Sequence, residues 1–490
     1  MLGTTPWAGR VLEVLSDGDI ERVHSASLDL LERVGMVFED EAAVSLLQAR
    51  GASTEGSRVR IPSRLVEEAL AQCPRQITLP ARDPANDVNL GSGQVYFTSG
   101  YGATFVRDLD HDNLRPATIE DVGELVVLAD ALEMVHYCLL PVLPQDLPPE
   151  KAELAGAAVM LATTTKHVAP SLPTVRFFPT LLQLAQLAAG GCRPPISLGA
   201  TTTSPLKLSA DSIARLRFCA RERLPFRIVS APVSGVSAPA TLAGTLAVQN
   251  AEVLGAVTLA QLLSPGTPVI YGTFAAAGDM RTGKIVLGGP ELALMNAASA
   301  QLCRRYGMPL GYGTGGTCDS PHPDEQAAAE KMLTALVAAA AGVTAIHDAV
   351  GGMLGSAMCA SAAQMVIDNE FCRMIQKAIR GMEVSPQTLA LDLIAAVGPG
   401  GSFLAEEHTA RHWRGEHFLP QLLDRSNVVE AHCGAAIFER ARVEARHILR
   451  THRVHAVDED TRRAMEQSLH TVGINICLSP TVSWREKEDE

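Results

Sequence analysis

The chain has 490 residues, of which 47% are hydrophobic and 19% charged, and its formal net charge is −13. This length suits one large domain with extensions, and the composition is typical of a soluble protein with a sizeable core. The negative charge and the lack of basic runs argue against nucleic acid and anionic membranes as partners. Polar residues interrupt the apolar segments before any reaches membrane-spanning length.

The cysteines and the first residues predict a cytoplasmic protein. Ten cysteines are scattered singly without a C-x-x-C pair, which favours reduced, mostly buried thiols over a disulfide framework. Residues 1–7 (MLGTTPW) lack the charged and apolar stretches of a signal peptide. We therefore expect the chain to remain in a reducing compartment.

Residues 1–95 are predicted to form an N-terminal α+β extension. Its helices and strands follow from apolar residues at helical spacing and from short apolar runs beside turn residues. The predicted helices cover 17–35, 39–50 and 62–72, and the predicted strands cover 57–61 and 76–80.

Strands and helices alternate over residues 96–380. The strands are continuous apolar runs, which is typical of strands buried on both faces, at 95–99, 134–140, 167–171, 196–202, 226–231, 268–274, 308–313 and 343–348. Helical patterns lie at 118–132, 149–164, 179–189, 209–222, 241–263, 290–306, 324–341 and 364–380. Eight such units predict an α/β fold of the (β/α)8 TIM barrel type.

A helical region over 381–490 is predicted to pack on this barrel. Its helices are expected near 385–396, 405–415, 434–451 and 458–470. No low-complexity linker separates it from the preceding residues.

Residues 309–320 (PLGYGTGGTCDS) combine a short strand with a glycine-rich turn, before an Ala-rich helix. In a barrel the C-terminal ends of all strands share one rim, which carries the active site. Gly313, Gly315 and Gly316 could expose N–H groups as a nest for a carboxylate or a phosphate. The alternative is a tight turn that needs positive φ, and the sequence leaves the two open.

Several segments resemble the trimethylamine methyltransferase family. They are 99–110 (SGYGATFVRDLD) with 115–118 (RPAT), 240–254 (ATLAGTLAVQNAEVL), 268–274 (PVIYGTF) with 279–283 (DMRTG), and 397–404 (VGPGGSFL) with His408 and Arg411. The likeness covers roughly residues 20–470, which makes it specific to the family.

The resemblance implies a barrel enzyme that moves a methyl group from a methylamine to the cobalt of a separate corrinoid protein. The cobalamin would belong to that partner, so no tightly bound cofactor is expected here. The chain contains only standard residues and is similar to the pyrrolysine-free branch, whose known members demethylate quaternary amines such as glycine betaine. Pro321-His322-Pro323 departs from the pattern, since many relatives have Lys after the Asp-Ser pair.

Aromatic residues fall at the predicted strands. Six tyrosines occur in the chain, and five lie in or just beyond a strand, joined by one phenylalanine. A quaternary ammonium cannot donate a hydrogen bond, so aromatic faces must hold it, at about 0.5–2 kcal/mol per contact. The predicted substrate-binding aromatics are Tyr96, Tyr101, Tyr137, Tyr271, Tyr312 and Phe274. The alternative is that aromatics simply fill the interior of the barrel.

Polar residues at strand ends complete the predicted site. His347 and Asp348 end a strand and are expected to orient the substrate, and Asp319 is expected to balance its positive charge. Thr201 and Ser234 are expected to line the pocket.

Other polar residues are given structural interpretations. Asn369 and Glu370 are expected to face solvent. His408, His412 and His417 invite a zinc hypothesis, but a structural or interfacial role is favoured because no further ligand is evident.

The chemistry implied by the resemblance needs little from the protein except positioning. Displacement of a neutral amine by Co(I) requires no general acid and no protein nucleophile. Two alternatives remain open at this point. One is a barrel enzyme acting on a phosphorylated metabolite, and the other is a barrel that binds a betaine without turnover. The expected partners are a corrinoid protein, a small quaternary or tertiary amine, and further copies of the same chain.

Overall fold

The computed structural model describes residues 12–171, 174–191, 193–426 and 436–478. Cys192, Cys433 and residues 479–490 of the predicted C-terminal region lie outside these ranges. The described cysteines are all free, and each is buried except Cys477.

The fold is α/β and is centred on short parallel strands. We number these strands β1 to β8: Tyr96–Phe97, Tyr137–Cys138, His167–Val168, Leu198–Thr201, Phe226–Ser230, Val269–Thr273, Leu310–Thr314 and Ala345–His347. A six-stranded parallel sheet has the order β4-β5-β6-β7-β8-β1, and β2 pairs with β3 in parallel. All eight predicted strands are confirmed, within a few residues at their ends.

Two single bridges connect the sheet with the β2–β3 pair. Thr98, which follows β1, bridges in parallel to Tyr137 of β2. Val168 of β3 bridges in parallel to Ile196, which precedes β4. Thr98 and Ile196 lie just outside the named strands, so these two contacts are single bridges between the six-stranded sheet and the β2–β3 pair.

A helix follows each strand. The helices, numbered α1 to α8, are Ile119–Ala131, Pro149–Thr163, Phe178–Ala188, Ala210–Glu222, Leu242–Leu263, Pro290–Tyr306, Glu325–Ala340 and Ala362–Ile379. Their starts follow local rules, since Thr118 and Asp121 form a capping box and Asp324 caps α7. Gly307 ends α6 at φ +65°, a conformation that glycine adopts without strain.

The strands have an inner and an outer face. Outward side chains such as Phe226, Ile228 and Tyr271 join the large core beneath the helices. Inward side chains form a separate group, the inner cluster, with a hairpin of strands Ile77–Leu79 and Val88–Leu90. The inner cluster contains Tyr96, Tyr137, Leu139, Ala169, Val229, Ile270, Tyr312 and Ala345.

The hairpin covers the inner face at the N-terminal ends of the strands. Leu90 is fully buried, and a Cβ on Gly311 in β7 would lie 2.8 Å from its Cδ1. The hydroxyl of Tyr96, at the start of β1, accepts a hydrogen bond from Asn89 N at 3.3 Å. The hairpin thereby closes this end of the inner face, and the opposite, C-terminal ends remain open to the loops.

The remaining N-terminal elements pack around the outside. Helices Asp17–Asp29, Glu41–Ala49 and Ser63–Ala71 confirm the predictions, with the first continuing as a π-helical turn, Leu30–Val34. Helices Asp17–Asp29 and Ser63–Ala71 contact α5.

Short strands lie along the rest of the chain as well as in the N-terminal extension, at Met36–Phe38, Ser53–Glu55, Arg58–Arg60, Phe105–Arg107, Leu114–Pro116, Lys207–Leu208, Val233–Ser234, Ala276–Gly278, Ile285–Val286, Met353–Leu354 and Cys359–Ser361. Short 3-10 turns occur at Pro84–Asn86 and Val175–Phe177.

The described residues of the C-terminal region form helices, of which Ile437–Thr451 contacts α8. Its helices are Pro386–Leu389, Leu391–Val397, Glu407–Glu416, Ile437–Thr451 and Glu459–Thr471. Glu370 of α8 accepts hydrogen bonds from Gln421 N and Leu422 N at 2.9 and 3.1 Å. Asn369 accepts from Met134 N at 3.1 Å. Both side chains are buried, which contradicts the prediction that they face solvent.

One described helix, α5, is long and apolar enough to cross a membrane by length and composition. In this structure 89% of its apolar window is buried inside the protein. A helix that is apolar all round is also what the core of a large protein requires.

Truncation of Leu90 tests whether the hairpin supports the inner cluster. We expect Leu90→Ala to lower the free energy of unfolding by about 2–5 kcal/mol, because a fully buried leucine leaves a cavity. Leu114→Ala, at a position 57% exposed, serves as the control and should change stability by less than about 0.5 kcal/mol. Equal effects of the two substitutions in thermal or urea unfolding would contradict a supporting role for the hairpin.

Candidate functional site

Two tyrosines and one histidine meet on the inner face. The Nε2 atom of His347 lies 2.6 Å from the Tyr137 hydroxyl and 3.2 Å from the Gly311 carbonyl oxygen. The ring of Tyr312 lies against that of His347, with centroids 3.4 Å apart and planes 33° apart. The His347 Nδ1 atom has no hydrogen-bond partner among the described residues, although the side chain is fully buried. These three residues form a continuous aromatic wall.

Tyr101 connects two carboxylates at the C-terminal ends of the strands. Its backbone N–H donates to Asp348 Oδ1 at 3.0 Å, and its hydroxyl donates to Glu153 Oε1 at 2.7 Å. Tyr101 and Phe274 are half-buried and pack against the inner cluster. Asp348 has φ +66°, an uncommon conformation that Asp tolerates better than most residues, and such departures concentrate at functional sites.

A buried arginine lies deeper on the inner face. Arg227, the second residue of β5, is 2% exposed, and its Nη1 donates to Ser197 Oγ at 2.8 Å. Its Nη2 donates to the Ala169 carbonyl at 3.2 Å. Ser197 also lies 2.8 Å from His167 Nε2, while His167 Nδ1 lies 2.7 Å from the Pro80 carbonyl of the hairpin connection. The guanidinium is thus held in a fixed position.

Burial sets the protonation of these groups. It lowers the pKa of His347 well below 6.5, helped by the positive charge of Arg227, so this imidazole is neutral. Burial also raises the hydroxyl pKa of Tyr137 and Tyr312, which therefore stay protonated. Burial raises the pKa of Asp348 from 3.8 to about 7, against the opposing effects of its bond from Tyr101 and the charge of Lys331.

A buried ion pair braces the loops after β7 and β8. Lys331 Nζ donates to the Gly316 carbonyl at 2.7 Å and lies 3.1 Å from Asp368 Oδ2. The same Oδ2 accepts from Gly352 N at 2.8 Å. Lys331 on α7 and Asp368 on α8 thus connect the loop that contains Gly316 with the loop that contains Gly352. Loss of either partner would leave an uncompensated buried charge.

The glycine-rich turn serves packing. Gly315 N donates to the His347 carbonyl at 3.0 Å, and Gly316 N donates to Thr334 Oγ1 at 3.0 Å. A Cβ on Gly316, which has φ +72°, would lie 2.6 Å from Ala349 Cα. A Cβ on Gly313 would meet Val343 and Asn296. The structure therefore favours the tight-turn interpretation, because two of the N–H groups expected to bind an anion are already used.

Two predicted tyrosines lie away from the others. The Tyr271 hydroxyl points into the helical layer, where it donates to Asn250 Oδ1 at 2.9 Å and accepts from Gln249 Nε2 at 3.0 Å. Adjacent residues of a strand face opposite sides, and Tyr271 falls on the outer one. Tyr96 lies at the hairpin end, with its hydroxyl 2.6 Å from Gln94 Oε1. We therefore correct the candidate set by leaving both out.

Three predicted polar residues also serve local structure. Asp319 accepts from Leu287 N and Gly288 N, each at 2.9 Å, and from Ser356 Oγ at 2.8 Å, so loop contacts occupy its carboxylate. Ser234 donates to the Ala240 carbonyl of its own loop at 2.9 Å. Thr201 is exposed at the end of β4. None of the three is brought to the inner face with His347 and Asp348.

Two further features lie outside the candidate site. The rings of His408 and His412 stack with centroids 4.3 Å apart, and within the described ranges no group of three or more His, Cys, Asp or Glu side chains is placed to hold a metal. A cavity of about 340 Å³ lies near the N-terminal ends of β1 and β2, between Tyr96, His136 and Phe418. It is separate from the residues on the C-terminal side.

Sequence reasoning missed Arg227, Glu153, His167 and Ser197. Arg227 does carry a signal, since it is a charged residue within an otherwise apolar strand, Phe226–Ser230. Glu153 gives no such signal in the sequence, because a glutamate in the segment PEKAELAGA resembles part of an exposed helix face. Its burial depends on how α2 packs beside Tyr101, which no local pattern specifies.

Comparison with known families gives one match along nearly the whole chain. A family described as trimethylamine methyltransferase (MTTB) matches residues 7–471. The chain is 37% identical over 419 residues to trimethylamine methyltransferase MttB of Desulfitobacterium hafniense (strain DSM 10664 / DCB-2), covering 84% of each chain. It is 34% identical to glycine betaine methyltransferase of Desulfitobacterium hafniense (strain Y51), covering 84% of this chain and 87% of the relative.

A more distant relative agrees with this assignment, and one solved structure has a similar fold. Trimethylamine methyltransferase MttB2 of Methanosarcina mazei is 33% identical over 472 residues and covers 94% of each chain. The crystal structure of a hydroxylamine complex of MtmB has a TM-score of 0.50 at 14% identity, covering 78% of this chain and 79% of that one. At this identity the structural likeness concerns the fold alone.

Substitution of Asp348 by Asn tests its raised pKa. The carboxyl of Asp348 keeps its proton to about pH 7 in the folded protein but loses it near pH 3.8 in the unfolded chain. Between these pH values the folded state binds more protons than the unfolded state, so the free energy of unfolding falls as pH rises. The wild type should therefore lose stability relative to Asp348→Asn between these pH values, by at most about 1.4 kcal/mol per pH unit. Asn also tolerates the positive φ. A difference that is flat or rises in the opposite direction would contradict the raised pKa.

Proposed function

Because this chain belongs to the trimethylamine methyltransferase family and is a methyltransferase, we propose that it moves a methyl group from a quaternary or tertiary methylamine to Co(I) of a separate corrinoid protein. The observation that carries the proposal is the family match along the chain, shared by relatives acting on trimethylamine and on glycine betaine. The aromatic residues of the inner face support it, because aromatic rings suit an alkylated ammonium group.

The proposed architecture is a closed (β/α)8 barrel over residues 96–380, with an N-terminal extension over 1–95 and a helical region over 381–490. The bridges from Thr98 to Tyr137 and from Val168 to Ile196 support closure, because they join the ends of the six-stranded sheet through β2 and β3. Closure would place the C-terminal ends of all eight strands on one rim. The methyl donor would then lie inside that rim.

Tyr101, Phe274 and Tyr312 are proposed to contact the alkylated nitrogen. Tyr101 and Phe274 pack on the inner cluster yet keep part of their surface in solvent, so a ligand entering from the rim meets them first. Glu153 and Asp348 flank Tyr101, and Asp348 adds negative charge at the same level as pH rises through its pKa of about 7. A cation held by aromatic faces and nearby carboxylates needs no hydrogen-bond donor of its own.

The proposed reaction is a displacement in which the protein positions the reactants. Transfer of the methyl group to the partner's Co(I) would break the carbon–nitrogen bond, whose electron pair would stay on the leaving amine. A quaternary donor releases a neutral amine without a proton, whereas a tertiary donor must react as its protonated ammonium ion. The neutral state of His347 and the protonated tyrosines fit this task, since they provide a fixed dry surface without titrating near neutral pH. The corrinoid would be carried by the partner docked over the rim, so this chain need not bind it alone.

The two alternative functions can be weighed on the same geometry. A phosphate site at residues 313–316 has little support, because Gly315 N and Gly316 N donate to groups of the protein itself. A betaine-binding barrel without turnover shares the aromatic site, so only an activity assay distinguishes it from the enzyme.

The assay combines the purified chain, a reduced corrinoid protein and glycine betaine, and follows loss of Co(I) and formation of methyl-Co(III). We expect methyl transfer, and we expect Tyr101→Leu to raise KM by about 2- to 30-fold through loss of one aromatic contact. Tyr96→Leu is the matched control, because it removes a tyrosine ring at the hairpin end, and it should leave KM unchanged. Thermal unfolding first checks that both variants fold. Absence of transfer from every quaternary and tertiary methylamine would contradict the proposal.

A cytoplasmic location and a homo-oligomeric state are also proposed. The support for self-association is an exposed apolar segment in residues 382–404, whose helices Pro386–Leu389 and Leu391–Val397 contain no buried residue. Met382, Leu391 and Leu404 are 90%, 67% and 86% exposed. Apolar surface of this extent marks an interaction site.

Charge placed in this segment should break the oligomer. In analytical ultracentrifugation we expect the wild type to sediment as an oligomer and the Leu391→Glu variant as a monomer, because the substitution would bury a carboxylate in the interface. Leu114→Glu, at another exposed leucine, is the control and should not change the mass. A monomeric wild type at micromolar concentration would contradict the oligomer.

A further inference from the structure

Arg227 is a buried cation without a counter-ion. Among the described residues no carboxylate lies within ion-pair distance of it, and its hydrogen bonds go to Ser197 Oγ and the carbonyls of Ala169 and Pro170. Its Nε has no hydrogen-bond partner. The guanidinium therefore retains unused N–H groups and an uncompensated charge inside the protein.

Such a charge is costly unless something compensates it. Arginine remains protonated in proteins, so the cost is not avoided by loss of a proton. The titratable groups around it, all kept neutral by burial, are Tyr137, Tyr312, Tyr101, Cys219, His167 and His347. An anion placed against the guanidinium would supply the missing charge and accept the free N–H groups.

The sequence makes room for this guanidinium. Gly199 of β4 lies beside Arg227 in register, and a Cβ there would be 3.1 Å from both Nε and Nη2. The Arg227 side chain thus lies over Gly199, which has no side chain to obstruct it. Hydrogen bonds to Ser197 and to two backbone carbonyls hold the guanidinium there. A fixed guanidinium is better prepared to bind an anion than a mobile one.

The charges on the inner face are separated along the strands. The carboxylates of Asp348 and Glu153 adjoin Tyr101 at the C-terminal ends. Arg227 lies three positions before Ser230, the last residue of β5. At about 3.3 Å per strand residue, this places Arg227 roughly 10 Å below the C-terminal end of the strand. The outer part, where Asp348 becomes charged as pH rises through its pKa of about 7, therefore favours a positive group, and the inner part favours a negative one.

We propose that Arg227 binds the carboxylate of the methyl donor, so that the substrate is a zwitterionic trimethylammonio carboxylate held with its carboxylate inward and its methyl groups outward. This inference rests on the proposed methyl transfer and narrows its substrate class. A donor without an anionic group leaves the buried guanidinium uncompensated, and a purely cationic donor is in addition repelled by it. Arg227 is thus a specificity-determining residue.

The ligand side of the proposal is tested by calorimetric titration of the wild-type protein. Glycine betaine and γ-butyrobetaine are each compared with the matching carboxamide, which has the same shape but no negative charge, and with tetramethylammonium. We expect at least one carboxylate to bind about 100-fold more tightly than its carboxamide and than tetramethylammonium. Equal affinity of each carboxylate and its carboxamide overturns the proposal without any variant.

The protein side uses Arg227→Met and Arg227→Lys. The methionine variant should lose about 100-fold in affinity for the preferred carboxylate while its affinity for tetramethylammonium is unchanged or higher, and the lysine variant should be intermediate. Lys166→Met is the matched control, because Lys166 is a buried cation that donates to the Ala129 and Leu132 carbonyls. It should bind all ligands as the wild type does.

The outcomes separate this inference from the proposed function. Equal losses for carboxylate and tetramethylammonium in Arg227→Met, or no loss for the carboxylate, overturn the role of Arg227. Methyl transfer from tetramethylammonium or trimethylamine as efficient as from any carboxylate overturns the substrate class but leaves the methyltransferase function intact. No transfer from any methylamine contradicts the proposed function itself. If Arg227→Met does not fold, the carboxylate and carboxamide comparison in the wild type still decides.

Discussion

Charge buried on the inner face of the strands is the constraint on which this account depends. A low-dielectric interior tolerates a guanidinium and carboxylates only in fixed places with suitable partners. Here Arg227 is deep, while Asp348 and Glu153 adjoin Tyr101 at the strand ends. Tyr137, Tyr312 and His347 fill the space between as neutral groups. Such an arrangement is complementary to a ligand with separated charges of both signs.

The fold could be anticipated well from local patterns, and the direction of side chains less so. Apolar runs fixed strands such as Val269–Thr273, and capping residues fixed helix starts such as that of α1, because both signals are local. The outward direction of Tyr271 depends on strand register, which shifts between Tyr271 and Gly272 in the β6–β7 pair. The burial of Glu370 depends on a segment some fifty residues later, to which its carboxylate is bonded.

The candidate site shows the same division. His347, Asp348, Tyr101, Tyr137 and Tyr312 were predicted as strand-end or aromatic residues, and the fold brings them together. The glycine-rich turn was ambiguous because close packing and anion binding select the same residue type, and only the partners of its N–H groups distinguish them. Arg227 and Glu153 acquire meaning from their neighbours across the fold, which explains why sequence reasoning passed over them.

The central claim is that the inner face holds a trimethylammonio carboxylate in one orientation. The most direct measurement is a crystal structure of the protein with glycine betaine or a longer homologue bound. The account predicts the carboxylate within hydrogen-bond distance of the Arg227 guanidinium and the ammonium group against Tyr101 or Tyr312, with a methyl group directed towards the strand ends. A ligand bound in the reverse orientation, or outside the inner face altogether, would contradict it.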